Sequence, residues 1–284
     1  MGENLRTFLR FPNFKQKAVT LSYDDGVRQD KRLISIMQKY GIKGTFNINS
    51  GFFATERSAE EKGRMTKEEA VELYVNSGME VAVHGYRHLS LAEVDPALAT
   101  DDVLKDRKEL ENIFGGIIKG MAYANGSYSD SVCKILECCG INYSRTVVTT
   151  EKFKIPTDWL KLETTCHHNN PKLMELAKTF VDIKEDGYVW RNYPRLFYLW
   201  GHSYEFDTND NWNVIEEFCE FIGGRDDVWY ATNGEIYSYV KAFDSLEFSA
   251  DGNTVYNPSG TTVYICYLGK HVAIQPNETK KIND

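Results

Sequence analysis

The chain predicts an α/β fold with mainly parallel strands, on three observations. Strand-like and helix-like patterns alternate from Lys17 to Phe243. The unit helix, glycine, Ile or Met, strand occurs at Gly41, Gly78 and Gly140. Polar clusters follow the ends of apolar strands instead of interrupting them. Such alternation lays helices over a parallel sheet.

Taken in order, Lys17–Tyr23 reads as a buried strand. Asp30–Tyr40 reads as a helix, with Leu33, Ile34, Ile36 and Met37 on one stripe, stopped by Gly41. Gly44–Asn49 is the next strand. Thr66 N-caps a helix to about Asn76, with Glu68 and Glu69 at its positive end, and Gly78 supplies the C-cap residue. Met79–Val83 is a strand, Asp101–Phe114 a helix closed by Gly115-Gly116, and Lys119–Tyr123 a strand. Ser129 or Asp130 caps a helix to Cys139, and Ile141–Ser144 continues as a strand. Pro171–Asp182 is helical, and Arg195–Trp200 is an aromatic strand ending at Gly201-His202. Asn211–Ile222 is a helix, Val228–Ala231 a short strand and Glu235–Phe243 a last helix. After Ser245 the texture becomes short strands separated by turns such as Asp251-Gly252 and Asn257-Pro258-Ser259-Gly260. This gives a main domain over 1–244 and a small antiparallel β appendage over 245–284.

A length of 284 residues, 42% hydrophobic and 26% charged, suits one large domain, or one large and one small. The net charge of −8 weighs against nonspecific nucleic-acid or anionic-membrane binding. Aromatics at 13% serve a core first; a ring-lined carbohydrate site is the sharper alternative. The six cysteines show no CxxC spacing, and adjacent Cys138 and Cys139 cannot both face one way on a helix. They read as reduced thiols in a reducing compartment. With no apolar run of signal-peptide or membrane-span length, and Met1 taken as the native start, a cytoplasmic protein without membrane insertion is expected. Oligomeric state is not legible.

Ligands of α/β folds sit at the carboxyl ends of strands. Asp24-Asp25-Gly26 follows the first strand, His84-Gly85-Tyr86-Arg87-His88 the third, Tyr123–Gly126 the fourth and His202 the aromatic one. On a persisting strand Asp24 and Asp25 point to opposite sides, leaving one carboxylate for a metal and one as a base. Asp25, His84 and His88 then supply three protein ligands and leave a position for water, the arrangement of a catalytic centre. His202, flanked by rings and within reach of Glu205, is placed to protonate a leaving amine. The loop Tyr123, Ala124, Asn125, Gly126 can turn a backbone N–H toward an oxyanion. Each has a plain alternative: a solvated Asp-Asp-Gly turn, surface histidines, a packed His202. The adjacent His167 and His168 cannot easily serve one site and read as a loop, and His271 falls in the appendage.

These segments resemble the polysaccharide deacetylases, carbohydrate esterase family 4, which carry the NodB-like domain. Ser22-Tyr23-Asp24-Asp25-Gly26 matches the family's Thr-Phe-Asp-Asp-Gly, and His84-Gly85-Tyr86-Arg87-His88 its His-(Ser/Thr)-x-x-His. The resemblance spans Lys17 to Phe243. It implies a distorted (β/α) barrel with fewer than eight regular units. It implies Asp24 as general base and one divalent metal ion on Asp25, His84 and His88: zinc first, with cobalt, nickel or manganese as substitutes. It implies an oxyanion site at Tyr123, Asn125 and Gly126, and His202 as general acid. The third family motif, Arg-x-Pro-x-Gly, reads Ala122-Tyr123-Ala124-Asn125-Gly126 here, without the Arg that holds the catalytic Asp. Arg145 or Arg191 is left to supply that charge. For the fourth motif only Thr157-Asp158-Trp159 offers itself, and position 85 is Gly.

The expected activity is metal-dependent removal of an acetyl group from an amino sugar, oligosaccharide or polysaccharide. Two readings compete: a hydrolase of a non-sugar amide or cyclic imide on the same fold, and a carbohydrate-binding protein that has lost turnover.

Overall fold

The computed structural model describes residues 7–55, 63–184 and 192–282. After β1 (Thr7–Arg10) comes β2 (Lys17–Asp24), buried at all eight positions, as a central parallel strand must be. Four helix–strand steps follow: α1 (Asp30–Lys39) to β3 (Gly44–Ile48), α2 (Lys67–Tyr74) to β4 (Glu80–Val83), α3 (Pro96–Phe114) to β5 (Gly120–Ala122), and α4 (Asp130–Cys138) to β6 (Tyr143–Thr149). Then come β7 (Leu162–Thr164), β8 (Cys166–His167), α5 (Leu173–Asp182), β9 (Arg195–Gly201), α6 (Tyr204–Thr208), α7 (Trp212–Ile222), β10 (Val228–Tyr230) and α8 (Asn233–Asp244).

The main sheet is parallel throughout, in the order β7-β6-β5-β4-β3-β2-β9-β8, with β10 also on β2. Its two ends are consecutive in the chain. The segment 162–167 pairs with β6 through β7 and with β9 through β8, which closes the ring. The expected distorted barrel is therefore present.

Side-chain alternation sorts the strands into two files. Val19, Leu21 and Tyr23 of β2, Phe46 of β3, and Phe197 and Leu199 of β9 face the helices and join Leu33, Met37, Val103 and Phe218 in the main core. The opposite file, Ala18, Thr20, Ser22 and Asp24 on β2 with Thr45 and Asn47 on β3, is more polar and is paired internally. At the amino end of the barrel, Thr20 bonds Asn233, Glu80 accepts from Thr45 and from the Gly234 N–H, and Tyr143 bonds Glu80. The first turn of α8, held by a Thr232/Glu235 capping box, plugs that end. The polar file at the carboxyl end builds the site.

Thr66 caps α2 as expected, in a capping box with Glu69. Helix α3 starts at Pro96 instead of Asp101, because Asp95 accepts from the Ala97 N–H and Pro96 takes the first helical position. The chain after α8 forms β11 (Glu247–Phe248), β12 (Thr254–Tyr256), β13 (Val263–Tyr267), β14 (Lys270–Ile274) and β15 (Thr279–Lys281). They make two three-stranded antiparallel sheets, β1-β13-β14 and β11-β12-β15, around Val255, Val263, Ile265, Tyr267 and Ile274. Strand β1, which the sequence pattern does not reveal, thus comes from the amino-terminal end to complete the carboxyl-terminal sheet. The cysteines are unpaired, and all but Cys138 are buried. Among the described residues no helix is long and apolar enough to cross a membrane.

Candidate active site

Asp24 ends β2 on the inward file, 2% exposed. Asn47 Nδ2, one strand away, donates to its Oδ1 at 2.8 Å. Arg145 Nη2 donates to Oδ2 from β6. Arg145 is fully buried, and its guanidinium lies 4.4 Å from the Trp200 ring centroid. Burial pushes the Asp24 carboxyl up, but Arg145, with His84 and His202, more than offsets this and holds it below the usual carboxylate range. Of the two arginines left by the sequence, Arg145 is the one that holds Asp24; Arg191 lies outside the described residues.

Asp25 departs from the expected alternation. Its φ of 81° lies in the left-handed region, so the strand geometry stops at Asp24. Both carboxylates consequently face His84: Nε2 lies 3.7 Å from Asp25 Oδ1 and 4.0 Å from Asp24 Oδ2. His88 Nε2 is 3.5 Å from Asp25 Oδ1. Arg64 Nη1 donates to the Asp25 carbonyl at 2.6 Å and holds this turn.

The loop 84–88 hangs on two acidic residues of α3. Asp106 accepts from the His84 N–H at 3.1 Å, and Asp102 from the Arg87 N–H at 3.0 Å. Asn49 Nδ2 donates to the His84 and Gly85 carbonyls. Gly85 has φ 86°, and a Cβ there would lie 2.7 Å from Asp102 Oδ2. That accounts for the glycine where the family motif has Ser or Thr.

The residues fit a divalent metal. His84 Nδ1 donates to the Ala122 carbonyl at 2.9 Å, so Nε2 carries the lone pair that faces the two aspartates. Burial lowers the His84 pKa and keeps the imidazole neutral. Asp25 Oδ1 is buried with no hydrogen-bond partner. Asp25, His84 and His88 bring one ligand atom each to within 4.8 Å of one another.

His202 closes the opposite wall. Its Nδ1 donates to Glu205 Oε1 at 3.0 Å, which turns Nε2 toward Asp24 Oδ2 at 3.9 Å. Burial pulls its pKa down, but the bond to Glu205 and the charges of Asp24 and Asp25 outweigh that and raise it. Glu205 is reached by two more imidazoles, His168 Nε2 at 2.9 Å and His167 Nε2 at 3.4 Å. From sequence alone, adjacency argues against these two histidines serving one site. Here the pair lies at the end of β8, beside β9, and Glu205 on α6 sits where both rings converge. His167 Nδ1 accepts the Asn169 N–H, so its Nε2 carries hydrogen and offers no lone pair. Glu205 accepts from His202 Nδ1 and Asn169 Nδ2, and these bonds with the close His168 and His167 rings hold its carboxyl far below the usual range against the upward push of burial.

The loop 124–126 starts directly beyond Ala122, where His84 is anchored. Asn125 has φ 56° and its Nδ2 donates to Ser90 Oγ. The Gly126 N–H is spent on the Tyr123 carbonyl, and the Tyr123 hydroxyl on the Leu160 carbonyl. Thr157-Asp158-Trp159 contributes nothing to this cluster: Asp158 accepts from the Leu160 N–H, and Trp159 packs edge-on against Tyr237. Arg145 was legible as a candidate; Asn47 and Asp106 carried no sequence signal.

The family model for polysaccharide deacetylases matches residues 12–144, which hold Asp24, Asp25, His84 and His88. A Mycobacterium smegmatis protein assigned to the polysaccharide deacetylases superposes with a TM-score of 0.58 and 18% identity, over 83% of this chain and 94% of that one. A variant of the peptidoglycan deacetylase PdaC from Bacillus subtilis gives 0.53 and 14%, over 83% and 96%. A BA3943 variant from Bacillus anthracis, a CE4 family pseudoenzyme with restored enzymatic activity, gives 0.51 and 16%, over 81% and 70%. None of the curated proteins matches. At these identities the likeness to solved structures concerns the fold. Motifs, family model and fold agree that residues 12–144 are similar to the polysaccharide deacetylases, on a barrel of the same fold.

Proposed function

We propose that the protein is a metal-dependent hydrolase that removes an acetyl group, N-linked first, from an amino sugar or a saccharide built of such units. One observation carries this reading. A metal-ligand triad, a buried ionised carboxylate and a carboxylate-oriented histidine meet at one end of the barrel. Asp25, His84 and His88 would hold the ion, zinc before cobalt, nickel or manganese. When bound, it supplies Lewis acidity for the attacking water and the acetyl carbonyl.

The rest falls to the chain. Asp24, ionised and fixed by Asn47 and Arg145, takes the proton of a water adding to the acetyl carbon. The Asn125 N–H, with Tyr123 and Gly126 shaping its loop, is our candidate donor to the oxyanion. His202, protonated at Nε2, gives its proton to the amine as the C–N bond breaks, leaving acetate and a free amino sugar. Buried Trp200 and Arg145 wall this side of the site from water.

The test is zinc and cobalt titration of metal-stripped protein beside His84→Ala, followed by acetate release from acetylated amino sugars and from a panel of small amides and cyclic imides. Metal-restored acetate release from the sugars, lost in the variant, supports the proposal. Turnover of the amides or imides alone replaces the substrate class. Saccharide binding without turnover under every metal returns the protein to a binding role.

A further inference from the structure

A second feature sits on the same end of the barrel, outside the catalytic group. Phe52, 37% exposed, carries the Arg64 guanidinium 4.9 Å from its ring centroid. Tyr86 carries the Lys105 ammonium at 3.9 Å. Gly51, the residue before Phe52, packs against Tyr86, where an added Cβ would lie 3.0 Å from the ring. Arg87 beside them is already committed to Asp101 and Asp102. Arg64 and Lys105 are not: among the described residues neither meets a carboxylate within ion-pair distance, in a chain whose Asp and Glu outnumber Lys and Arg by 41 to 33. Arg64 is also tied to the metal-ligand turn, through its bond to the Asp25 carbonyl and its backbone bridge to Val27.

We propose that this rim binds an anionic substituent of the saccharide, a carboxylate or a phosphate, next to the unit being deacetylated. The proposal rests on the deacetylase reading and deepens it. A guanidinium on a ring keeps its planar fork for a carboxylate or phosphate, and the ring itself takes the apolar face of a sugar. Because Arg64 also holds Asp25, an anion on its free edge is placed at a fixed offset from the reacting acetyl group.

The test compares KM for three acetylated oligosaccharides of equal length: neutral, carboxylated and phosphorylated. One or both anionic substrates should show a KM about tenfold lower than the neutral one, the size of one charge-assisted contact. That ratio should shrink with added salt and in Arg64→Gln and Lys105→Gln. Whichever anionic arm shows the effect identifies the group. Equal KM values for all three, or a ratio untouched by both variants, would overturn the rim. If no substrate is turned over, the deacetylase reading has failed. Calorimetry with the two anionic oligosaccharides then decides the rim alone, tighter binding than to the neutral one and its weakening in Arg64→Gln supporting it and no binding of either overturning it.

Discussion

Arg145 reaches Asp24 across a gap of 121 residues in the sequence, from β6 instead of from the end of β5, where Ala122 stands at the position of the family motif's arginine. The charge is supplied from the neighbouring strand. Arg145→Met should lower kcat by roughly 10²-fold or more, since Asp24 loses its orientation and its field. It should also move the acid limb of the pH–rate profile upward, because without the guanidinium the Asp24 carboxyl titrates at higher pH. A purely structural role would lower the rate and leave the limb in place. His202→Ala should cost roughly 10²–10⁴-fold, the usual size of acid–base assistance. Glu205→Gln should shift the basic limb downward, since Glu205 helps keep His202 protonated; a profile like that of the wild type would separate Glu205 from the catalytic proton.

The loop after β4 shows what an element adds. Two residues with positive φ, Gly85 and His88, wrap it so that imidazoles four positions apart face one point. Asp102 fills the space a side chain at 85 would need. Gly85→Ala should therefore weaken metal binding at least tenfold and destabilise the fold by about 1–3 kcal/mol, the cost of a strained backbone position. Titration and thermal melts read the two effects separately, and an unaltered metal affinity would mean the loop tolerates the shift. The proposed ligands Asp25, His84 and His88 are legible at this scale because each lies in a short motif behind a strand. The turn at Asp25 was not, since period-two alternation says nothing of where a strand ends. The clasp of His167, His168 and His202 on Glu205 escaped for another reason: adjacency argues against convergence until β8 and α6 are placed in space.

At the scale of the molecule, the strand–helix rhythm sufficed for the parallel sheet, while closure depended on the bend at 162–167, too short to carry a strand pattern of its own. Strand β1 was hidden likewise, its partner lying at the far end of the chain. Burial also leaves its mark on stability. Asp30, fully buried, accepts from Ser203, Tyr74 and the Val27 N–H, yet desolvation pushes its pKa up to about 7 from an ordinary 3.8. Between those values the folded state binds more protons than the unfolded one, so stability falls as pH rises through that window. Asp30→Asn should flatten this slope in melts from pH 4 to 7, and an unchanged slope would shift the dependence to other buried acids.

The site of Arg145 has a further consequence for how such chains are sorted. It stands one position past the end of the matched segment, 12–144. An inventory by motif letters would count the arginine as missing from this chain. A tally of charges by position in space would not. In similar chains that lack the motif arginine, the neighbouring strand is the place to look for the charge before turnover is tested.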